Sequence, residues 1–293
     1  MNSQKLPQGN LFKLPFAGNS TSGLRSQSVR MTAVALCALV LLALVSLPAS
    51  AQSVSFAGLQ TTVPASGLNA PYSVGVDGAG DVFIADTGNN RIVEVPVTCN
   101  STSCQIVVPT SGLNSPEGVA ADGLGNVFIA DTHNNRVLEI PAGCTTSSCQ
   151  TIVGGGFSNP AGLGLDGAGD LFIADFSNNR VVELPAGCTT TSCQITSPAT
   201  GLNGPAGVAL DPAGDLFIAD YFNNRVLELP AGCTTSACEV ALGSGLSYPA
   251  GVAVDRTGNV YVVDTGNNRV VNIPSGCTSS SCQTTVATGL DGP

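Results

Sequence analysis

The stretch Gly251–Val270, GVAVDRTGNVYVVDTGNNRV, decides the fold because near-copies of it follow one another along the chain. It contains two short apolar runs, separated by a Gly-containing turn and followed by an Asn-rich turn. The preceding copy, Gly207–Val226, reads GVALDPAGDLFIADYFNNRV. A proline lies just before each copy and recurs every 44 or 45 residues, at Pro71, Pro116, Pro160, Pro205, Pro249 and Pro293. A period this regular indicates a repeat architecture.

One repeat unit predicts four short strands. In residues 205–249 these are Gly207–Leu210, Asp215–Asp220, Arg225–Leu229 and the weaker run Glu239–Leu242. Turns rich in Gly, Pro, Asn and Asp separate them, which is typical of an antiparallel meander. A lone four-stranded meander leaves both faces exposed, so it needs neighbours. Radial repetition of such sheets gives an all-β fold, a β-propeller of four-stranded antiparallel blades.

The stretch Gly251–Val270 resembles the NHL repeat, as found in propeller proteins that bacteria export. The resemblance covers residues 54–293 in five copies and implies a propeller that usually has six blades. SVSFAGLQ, which follows Gln52, resembles the last strand of a unit, and Pro293 stands where a sixth unit would begin. We therefore expect five complete blades, truncated at the start of a further repeat of a six-bladed ring. A five-bladed ring with a spare strand is the alternative.

The first 51 residues have the order of a secretory leader. Basic residues precede an uncharged apolar core at residues 32–47, and Ala49–Ala51 supplies a small-x-small cleavage signal. These features predict a signal peptide at residues 1–51, cleaved after Ala51, and an exported propeller at 52–293. Such a protein is secreted, periplasmic or held at the cell surface. An uncleaved leader is the alternative, and it is the only membrane attachment that we expect.

Ten of the 11 cysteines occur as C-x4-C pairs, one in each repeat. Regularly spaced, even-numbered cysteines in an exported chain predict disulfides. A zinc site would need four ligands converging on one ion, usually from C-x2-C knuckles, whereas each pair here stands alone. The predicted disulfides join Cys99 to Cys104, Cys144 to Cys149, Cys188 to Cys193, Cys233 to Cys238 and Cys277 to Cys282.

Charge excludes one class of partner. Residues 52–293 contain six arginines, no lysine and 20 carboxylates, which gives a net charge of −14 with His neutral. A nucleic-acid binder needs clustered cations, so we expect that this protein does not bind nucleic acid. Five of these arginines follow an aspartate by five residues, which predicts bidentate structural pairs across a hairpin. The pairs are Asp86 and Arg91, Asp131 and Arg136, Asp175 and Arg180, Asp220 and Arg225, and Asp264 and Arg269.

A D-x-x-G-[DN] turn in each repeat is spelled somewhat like a calcium loop. Calcium requires six to eight oxygens in one compact site. Asp and Asn also stabilise turns through their own backbone, and Gly supplies positive φ, so turn geometry explains the pattern better. No cofactor or metal site is predicted, and calcium stays the alternative. The turn carboxylates and amides are Asp77, Asp81, Asp122, Asn126, Asp166, Asp170, Asp211, Asp215, Asp255 and Asn259.

A ligand site should break the symmetry of the repeats, because a pocket needs unlike groups. The turn between strands two and three varies, and so does the linker into strand one. In a propeller both loops emerge on the same face, around the mouth of the central channel. Exposed aromatic residues there suit contact with a protein, peptide or polysaccharide, although they could instead pack between loops. The candidate ligand-binding residues are Tyr72, His133, Phe176, Tyr221, Phe222 and Tyr248.

Two functions follow from these patterns. The first is a non-catalytic, extracytoplasmic recognition or scaffold module that binds a protein, peptide or glycan on the loop face. The alternative is a propeller enzyme of lactonase or lyase type with a carboxylate/calcium site, which the NHL resemblance implies. The chain has one histidine, His133, and no lysine after residue 51. Those residues favour the recognition module, and no catalytic residue is predicted.

Overall fold

The computed structural model describes residues 55–56 and 63–293, so the predicted leader at residues 1–51 lies outside the described residues. The described chain forms strands joined by turns and one-turn 3-10 helices, with no α-helix in these ranges. The strands are β1 Ser55–Phe56, β2 Ser73–Val76, β3 Val82–Asp86, β4 Arg91–Val95, β5 Ile106–Val107, β6 Pro116–Ala121, β7 Val127–Asp131, β8 Arg136–Ile140, β9 Thr151–Val153, β10 Pro160–Leu165, β11 Leu171–Asp175, β12 Arg180–Leu184, β13 Ile195–Thr196, β14 Pro205–Leu210, β15 Leu216–Asp220, β16 Arg225–Leu229, β17 Val240–Leu242, β18 Pro249–Val254, β19 Val260–Asp264, β20 Arg269–Ile273 and β21 Thr284–Thr288.

The strands form five antiparallel sheets, each built on four consecutive strands, and β1 adds a fifth strand to the last sheet. We number these blades 1 to 5 along the chain: β2–β5, β6–β9, β10–β13, β14–β17 and β18–β21. In each blade the first strand lies innermost, and in blades 1 to 4 the fourth lies outermost. The predicted all-β propeller of four-stranded blades is therefore confirmed.

Blade 4 illustrates why the repeat folds as it does. In β15 every residue is buried, because the second strand lies in the middle of its sheet and is covered on both faces. In β16 the apolar residues are buried and Glu228 is half-buried. Ile218 and Leu227 pack with Ala174 of blade 3. The apolar core thus lies between neighbouring blades, which is why one blade cannot fold alone.

The innermost strands approach one another closely because small residues recur in them. A Cβ atom on Gly162 of β10 would lie 2.6 Å from the carbonyl oxygen of Ala206 in β14. A Cβ atom on the equivalent Gly207 of β14 would lie 2.9 Å from the carbonyl oxygen of Ala250. Real Cβ atoms are not found at such distances, so close packing of these blades requires glycine.

The expected six-bladed ring is not supported, because the structure has five blades. The strand from the front of the chain, β1, does not complete a sixth blade. It pairs antiparallel with β21, with Ser55 opposite Thr288, and becomes the outermost strand of blade 5. The free backbone groups on the exposed edge of β21 provide this pairing site. Among the strands described, each innermost strand packs beside the next along the chain, but β18 and β2 have no comparable contact.

All five predicted cysteine pairs are at disulfide distance. Their Cα atoms lie 5.7 to 6.3 Å apart, within the range that a disulfide spans. Each pair closes the loop between the third and fourth strands of its blade. Five disulfides are typical of proteins from an oxidising, extracytoplasmic compartment. Within the described ranges, no helix is long and apolar enough to cross a membrane.

Candidate functional site

The five innermost strands surround a central channel with a cavity of about 650 Å³. That volume lies within the range of small-molecule and peptide-side-chain pockets. Its wall is apolar, and one ring of the wall consists only of small residues, which keeps the channel open. This ring is formed by Gly75, Ala120, Gly164, Ala209 and Ala253.

The two variable loops of each blade are bonded to each other at one end of the channel. The amide of His133, in the turn between strands two and three, donates to the carbonyl of Asn114 in the linker, at 3.1 Å. Phe222 and Asn203 are joined in the same way at 3.1 Å. The turns and linkers therefore lie on one face, which we call the loop face.

A buried aspartate organises the loop face in every blade. In blade 4, Asp220 Oδ1 accepts the amide of Asn203 at 2.7 Å, and its Oδ2 accepts Asn223 Nδ2 at 2.8 Å and Arg225 Nε at 2.6 Å. The other end of the guanidinium donates Nη2 to the carbonyl of Gly201 at 3.3 Å. The expected bidentate contact is thus wrong, because the second donor of Arg225 binds the linker. The same Nε–Oδ2 pairing joins Asp86 to Arg91, Asp131 to Arg136, Asp175 to Arg180 and Asp264 to Arg269.

The residue before the inner-strand proline is left-handed in every blade. Tyr248 has φ +50°, and its amide donates to Asn224 Oδ1 of the preceding blade at 2.8 Å. A bulky side chain is rare in this region and strains the backbone. The equivalent residues are Ala70, Ser115, Asn159 and Gly204, with φ between +45° and +62°. Tyr248 is therefore held on the loop face at a conformational cost.

Four of the predicted site residues form one aromatic cluster, defined as Phe176, Tyr221, Phe222 and Tyr248. The ring centroid of Tyr221 lies 5.0 Å from that of Phe222, 5.2 Å from that of Tyr248 and 6.3 Å from that of Phe176. Phe176 and Phe222 are 5.7 Å apart. Phe222 is 48% exposed and Tyr248 45% exposed. The cluster joins three blades and still offers open aromatic surface.

Tyr72 and Glu117 occupy the same repeat position, directly after the inner-strand proline, in blades 1 and 2. Both line the channel, as Tyr221 does. Burial raises the pKa of the Tyr72 hydroxyl well above its ordinary value, with smaller contributions from Glu117 and Tyr221. Burial also raises the pKa of Glu117, and nearby His133 partly offsets this. The three other blades have alanine here, at Ala161, Ala206 and Ala250.

The structure places His133 apart from the other predicted site residues. Its side chain is exposed beside Glu117 and does not line the channel. Two carboxylates that do line the channel, Glu117 and Asp291, are not among the predicted residues. The sequence carries a signal for Glu117, since it replaces the alanine of other repeats. Asp291 replaces an Asn or Ser that precedes the proline by two residues.

The turns that resemble calcium loops are occupied by internal hydrogen bonds. Asp211 Oδ1 accepts the amides of Ala213 at 2.8 Å and Asp215 at 2.9 Å. Asp215 Oδ1 in turn accepts the amide of Ala231 at 2.7 Å. Within residues 55–56 and 63–293, no three Asp, Glu, His or Cys side chains are grouped so that they could hold a metal ion. These residues fit a turn and do not fit the oxygen cage that calcium requires.

Comparison with known proteins identifies the repeat. The NHL repeat model matches residues 113–139, 202–229 and 246–271. No curated protein matches the chain as a whole.

Among solved structures, a streptogramin B lyase is similar over 82% of this chain and 74% of its own, with 16% identity and a TM-score of 0.56. A catalytically inactive virginiamycin B lyase from Staphylococcus aureus with quinupristin is similar over 77% of this chain and 72% of its own, with 12% identity and a TM-score of 0.57. At such identities the likeness shows the fold alone. The chain is thus a β-propeller of five blades built on one repeated sequence, and blades 2, 4 and 5 match the NHL repeat.

Proposed function

We propose that this chain is a non-catalytic, extracytoplasmic recognition module that binds a protein, peptide or glycan on its loop face. The observation that carries the proposal is the aromatic cluster, which stands partly exposed beside the mouth of an apolar channel. Tyrosine and phenylalanine supply large contact area at a low entropic cost, and for that reason they are enriched at binding surfaces. Export is supported by the five disulfides and by the predicted leader.

The cluster replaces groups that would stabilise the ring. In blade 1, Thr87 Oγ1 donates to the carbonyl of Pro116 in blade 2 at 2.6 Å. Thr132 makes the same bond to Pro160 at 2.8 Å. Blades 3 and 4 have Phe176 and Tyr221 at this position and lack the bond. Two blades thus lose an inter-blade hydrogen bond and gain an aromatic ring, which supports selection for binding.

The other repeats supply variants that remove the cluster without disturbing the fold. Phe176→Thr and Tyr221→Thr install the threonine that blades 1, 2 and 5 have at this position. Phe222→Ser and Tyr248→Asn install the residues of blade 3, Ser177 and Asn159. We expect glycan and peptide arrays to detect ligands for the native chain. The quadruple variant should lower that binding at least about tenfold, since several aromatic contacts of about 1 kcal/mol each are lost.

A matched control removes exposed apolar side chains elsewhere. Val97 and Leu124 are 63% and 81% exposed, and both lie in turns away from the loop face. Val97→Ala with Leu124→Ala should leave array binding unchanged. Binding that survives loss of the aromatic cluster, or that disappears in this control, would contradict the proposal.

The enzyme alternative has one observation in its favour. Glu117 is a half-buried carboxyl at the channel mouth whose pKa is raised by burial, with the Tyr72 hydroxyl near it, and the similar solved structures include lyases. A lyase or lactonase function would make one of these groups a general acid or base. Incubation with quinupristin, followed by mass spectrometry and metal analysis, separates the two. If the native chain turns over quinupristin and Glu117→Gln does not, the enzyme function is supported over recognition. A stoichiometric calcium ion would support it as well.

A further inference from the structure

The polar groups of the channel are concentrated at the loop face. Within blade 4, residues 206–210 line the channel over roughly 16 Å, at about 3.3 Å per residue. Their side chains are alanine, glycine, valine and leucine. Tyr72, Glu117, Tyr221 and Asp291 line the same channel at its mouth. A ligand that fits must be apolar along its inserted part and polar where it meets the mouth.

The mouth carboxylates have no partner in the described part of the chain. Within residues 63–293, neither Glu117 nor Asp291 accepts a hydrogen bond or forms a salt bridge with another side chain. Glu117 is half-buried, and a partly buried carboxylate without a donor is costly, whereas Asp291 is exposed and contributes its charge. A donor brought by a ligand would therefore be favoured at this position.

The charge around the mouth is negative. The five arginines of the loop face are each paired with a buried aspartate, so they contribute no free positive charge. His133, the remaining basic side chain near Glu117, is exposed. Two carboxylates and two tyrosine rings thus form the mouth. Aromatic faces attract cations as carboxylates do, and together they favour an ammonium or guanidinium group.

We propose that the ligand is a peptide with a basic side chain, whose cationic group binds at the channel mouth that Glu117, Asp291 and Tyr72 line, while neighbouring apolar side chains enter the channel. This inference rests on the proposed recognition function and names its ligand class. A glycan fits less well, because the apolar wall offers no partner to its hydroxyl groups. The negative mouth also repels anionic polymers.

The test uses three blocked octapeptides that differ at one central residue: lysine, norleucine or glutamate, with valine and alanine elsewhere. Isothermal titration calorimetry should show that the lysine peptide binds at least about tenfold more tightly than the norleucine peptide. The glutamate peptide should bind more weakly than both. Because screening weakens exposed ion pairs, the lysine advantage should fall between 0.05 and 0.5 M salt.

Glu117→Gln combined with Asp291→Asn should reduce the lysine advantage to within about threefold and leave norleucine binding unchanged. The control removes two carboxylates away from the mouth, through Glu228→Gln and Glu239→Gln. All four other blades have glutamine at the position of Glu239, namely Gln105, Gln150, Gln194 and Gln283. This control should retain the full lysine advantage.

Three results would overturn the inference: equal binding of the three peptides, a lysine advantage that survives in the mouth variant, or no binding by any of them. If the norleucine peptide binds as tightly as the lysine peptide and loses binding when the aromatic cluster is replaced, recognition stands and the cation preference fails. If neither the arrays nor the peptides give a signal, the proposed function fails as well.

Discussion

A single backbone position shows how these repeats divide their residues between stability and binding. The residue before the inner-strand proline has positive φ in every blade, which glycine adopts freely and other residues adopt at a cost of about 1 kcal/mol or more. Only Gly204 and Asn159 suit that conformation well. Tyr248 does not, yet its ring completes the aromatic cluster at 5.2 Å from Tyr221. The strain at Tyr248 is consistent with a residue retained for its side chain.

At Ala70 the free-energy cost of positive φ can be measured in a residue that has no aromatic side chain. It is exposed and has φ +45°. Ala70→Gly should raise the free energy of unfolding by about 1 kcal/mol, because glycine relieves the left-handed strain. Urea denaturation followed by circular dichroism provides the measurement. Ala79, which is exposed in a turn and has no positive φ, is the control. Ala79→Gly should not stabilise, and equal stabilisation by both variants would contradict the strain.

The candidate site can be predicted from sequence only in part. Departure from the repeat selects Phe176, Tyr221, Phe222 and Tyr248, and the structure brings these four together. The same criterion applies to Glu117, but its chemistry becomes visible only when the structure shows that its carboxylate lines the channel and is half-buried, which raises its pKa. His133 departs from the repeat too, yet it does not line the channel. Side-chain direction within a short turn cannot be obtained from the pattern.

Third-strand glutamates make the opposite face of the blades sensitive to pH. Glu228 stands near Asp215 and Asp211, and burial together with these like charges raises its pKa above the ordinary 4.5. Glu94 and Glu183 have similar neighbours, and Asn272 occupies the position in blade 5. A raised carboxyl pKa means that the folded state binds the proton more tightly than the unfolded chain. The stability from each glutamate is therefore greatest below 4.5 and is lost as pH rises through the folded-state pKa.

Glu228→Gln should accordingly stabilise the protein at pH 7, where Glu228 is ionised against two aspartates. The difference in stability between the variant and the native chain should disappear near pH 4, where the protonated Glu228 and the glutamine are both uncharged. Thermal unfolding at the two pH values measures it. Asp291→Asn is the comparison, because Asp291 is exposed. A Glu228→Gln variant that is less stable than the native chain at pH 7 would contradict the like-charge repulsion.

We expect each disulfide to stabilise the fourth strand of its own blade, because it closes the loop that leads into that strand. The Cys233–Cys238 loop is short, and closing a loop of this length stabilises by about 2 kcal/mol in the chain-entropy model. Replacing both residues by serine should therefore lower stability by about 2 kcal/mol. Hydrogen exchange should accelerate in β17, Val240–Leu242, and stay unchanged in β15 of the same blade. Equal acceleration in both strands would show that the disulfide does not act locally.

Strands are the elements that sequence predicts best here. In blade 4 the predicted runs Asp215–Asp220 and Arg225–Leu229 agree with β15 and β16 to within one residue. Repetition makes this possible, because turn residues at a fixed spacing mark every strand end. The hydrogen bonds that join neighbouring blades through a glutamine side chain are not predictable in this way. Gln283 Oε1 accepts the amide of Ser244, and its Nε2 donates to the Ser244 carbonyl at 2.8 Å, across 39 residues.

At the scale of the whole molecule, the blades form a series in which each packs on the next. Gly162 and Gly251 have the same position in the repeat but different surroundings. A Cβ on Gly162 would meet the backbone of the next blade, at 2.6 Å from the Ala206 carbonyl. A Cβ on Gly251 would meet only the side chain of Val263 in its own blade, at 3.2 Å. Blade 5 thus lacks the close inner-strand neighbour that blade 3 has.

Gly162→Ala should destabilise by about 1–3 kcal/mol, since overpacking forces two inner strands apart. Gly251→Ala should change stability by less than about 1 kcal/mol, because a valine side chain can adjust. Chemical denaturation of the two variants gives the comparison. Equal destabilisation would mean that blade 5 packs in solution against a neighbour as closely as blade 3 does.

The number of blades cannot be predicted from the repeat. A four-stranded unit of 44 residues fits rings of different size, because the angle between blades depends on strand twist and on the side chains between them. The NHL resemblance favours six, whereas the structure has five, with β1 on the edge of blade 5. The period determines the architecture of a blade, and the packing of blades determines the ring.

Ligand binding at the channel mouth can be read directly from tyrosine fluorescence. The chain has four tyrosines and no tryptophan, and three of the four, Tyr72, Tyr221 and Tyr248, lie on the loop face. Tyr261→Phe installs the residue of the other four blades and leaves only these three as reporters. Titration of this variant with the tightest array ligand should change its tyrosine fluorescence, and the change should be half-maximal at the Kd found by calorimetry. Calorimetric binding without any change in tyrosine fluorescence would place the ligand elsewhere and contradict recognition at the loop face.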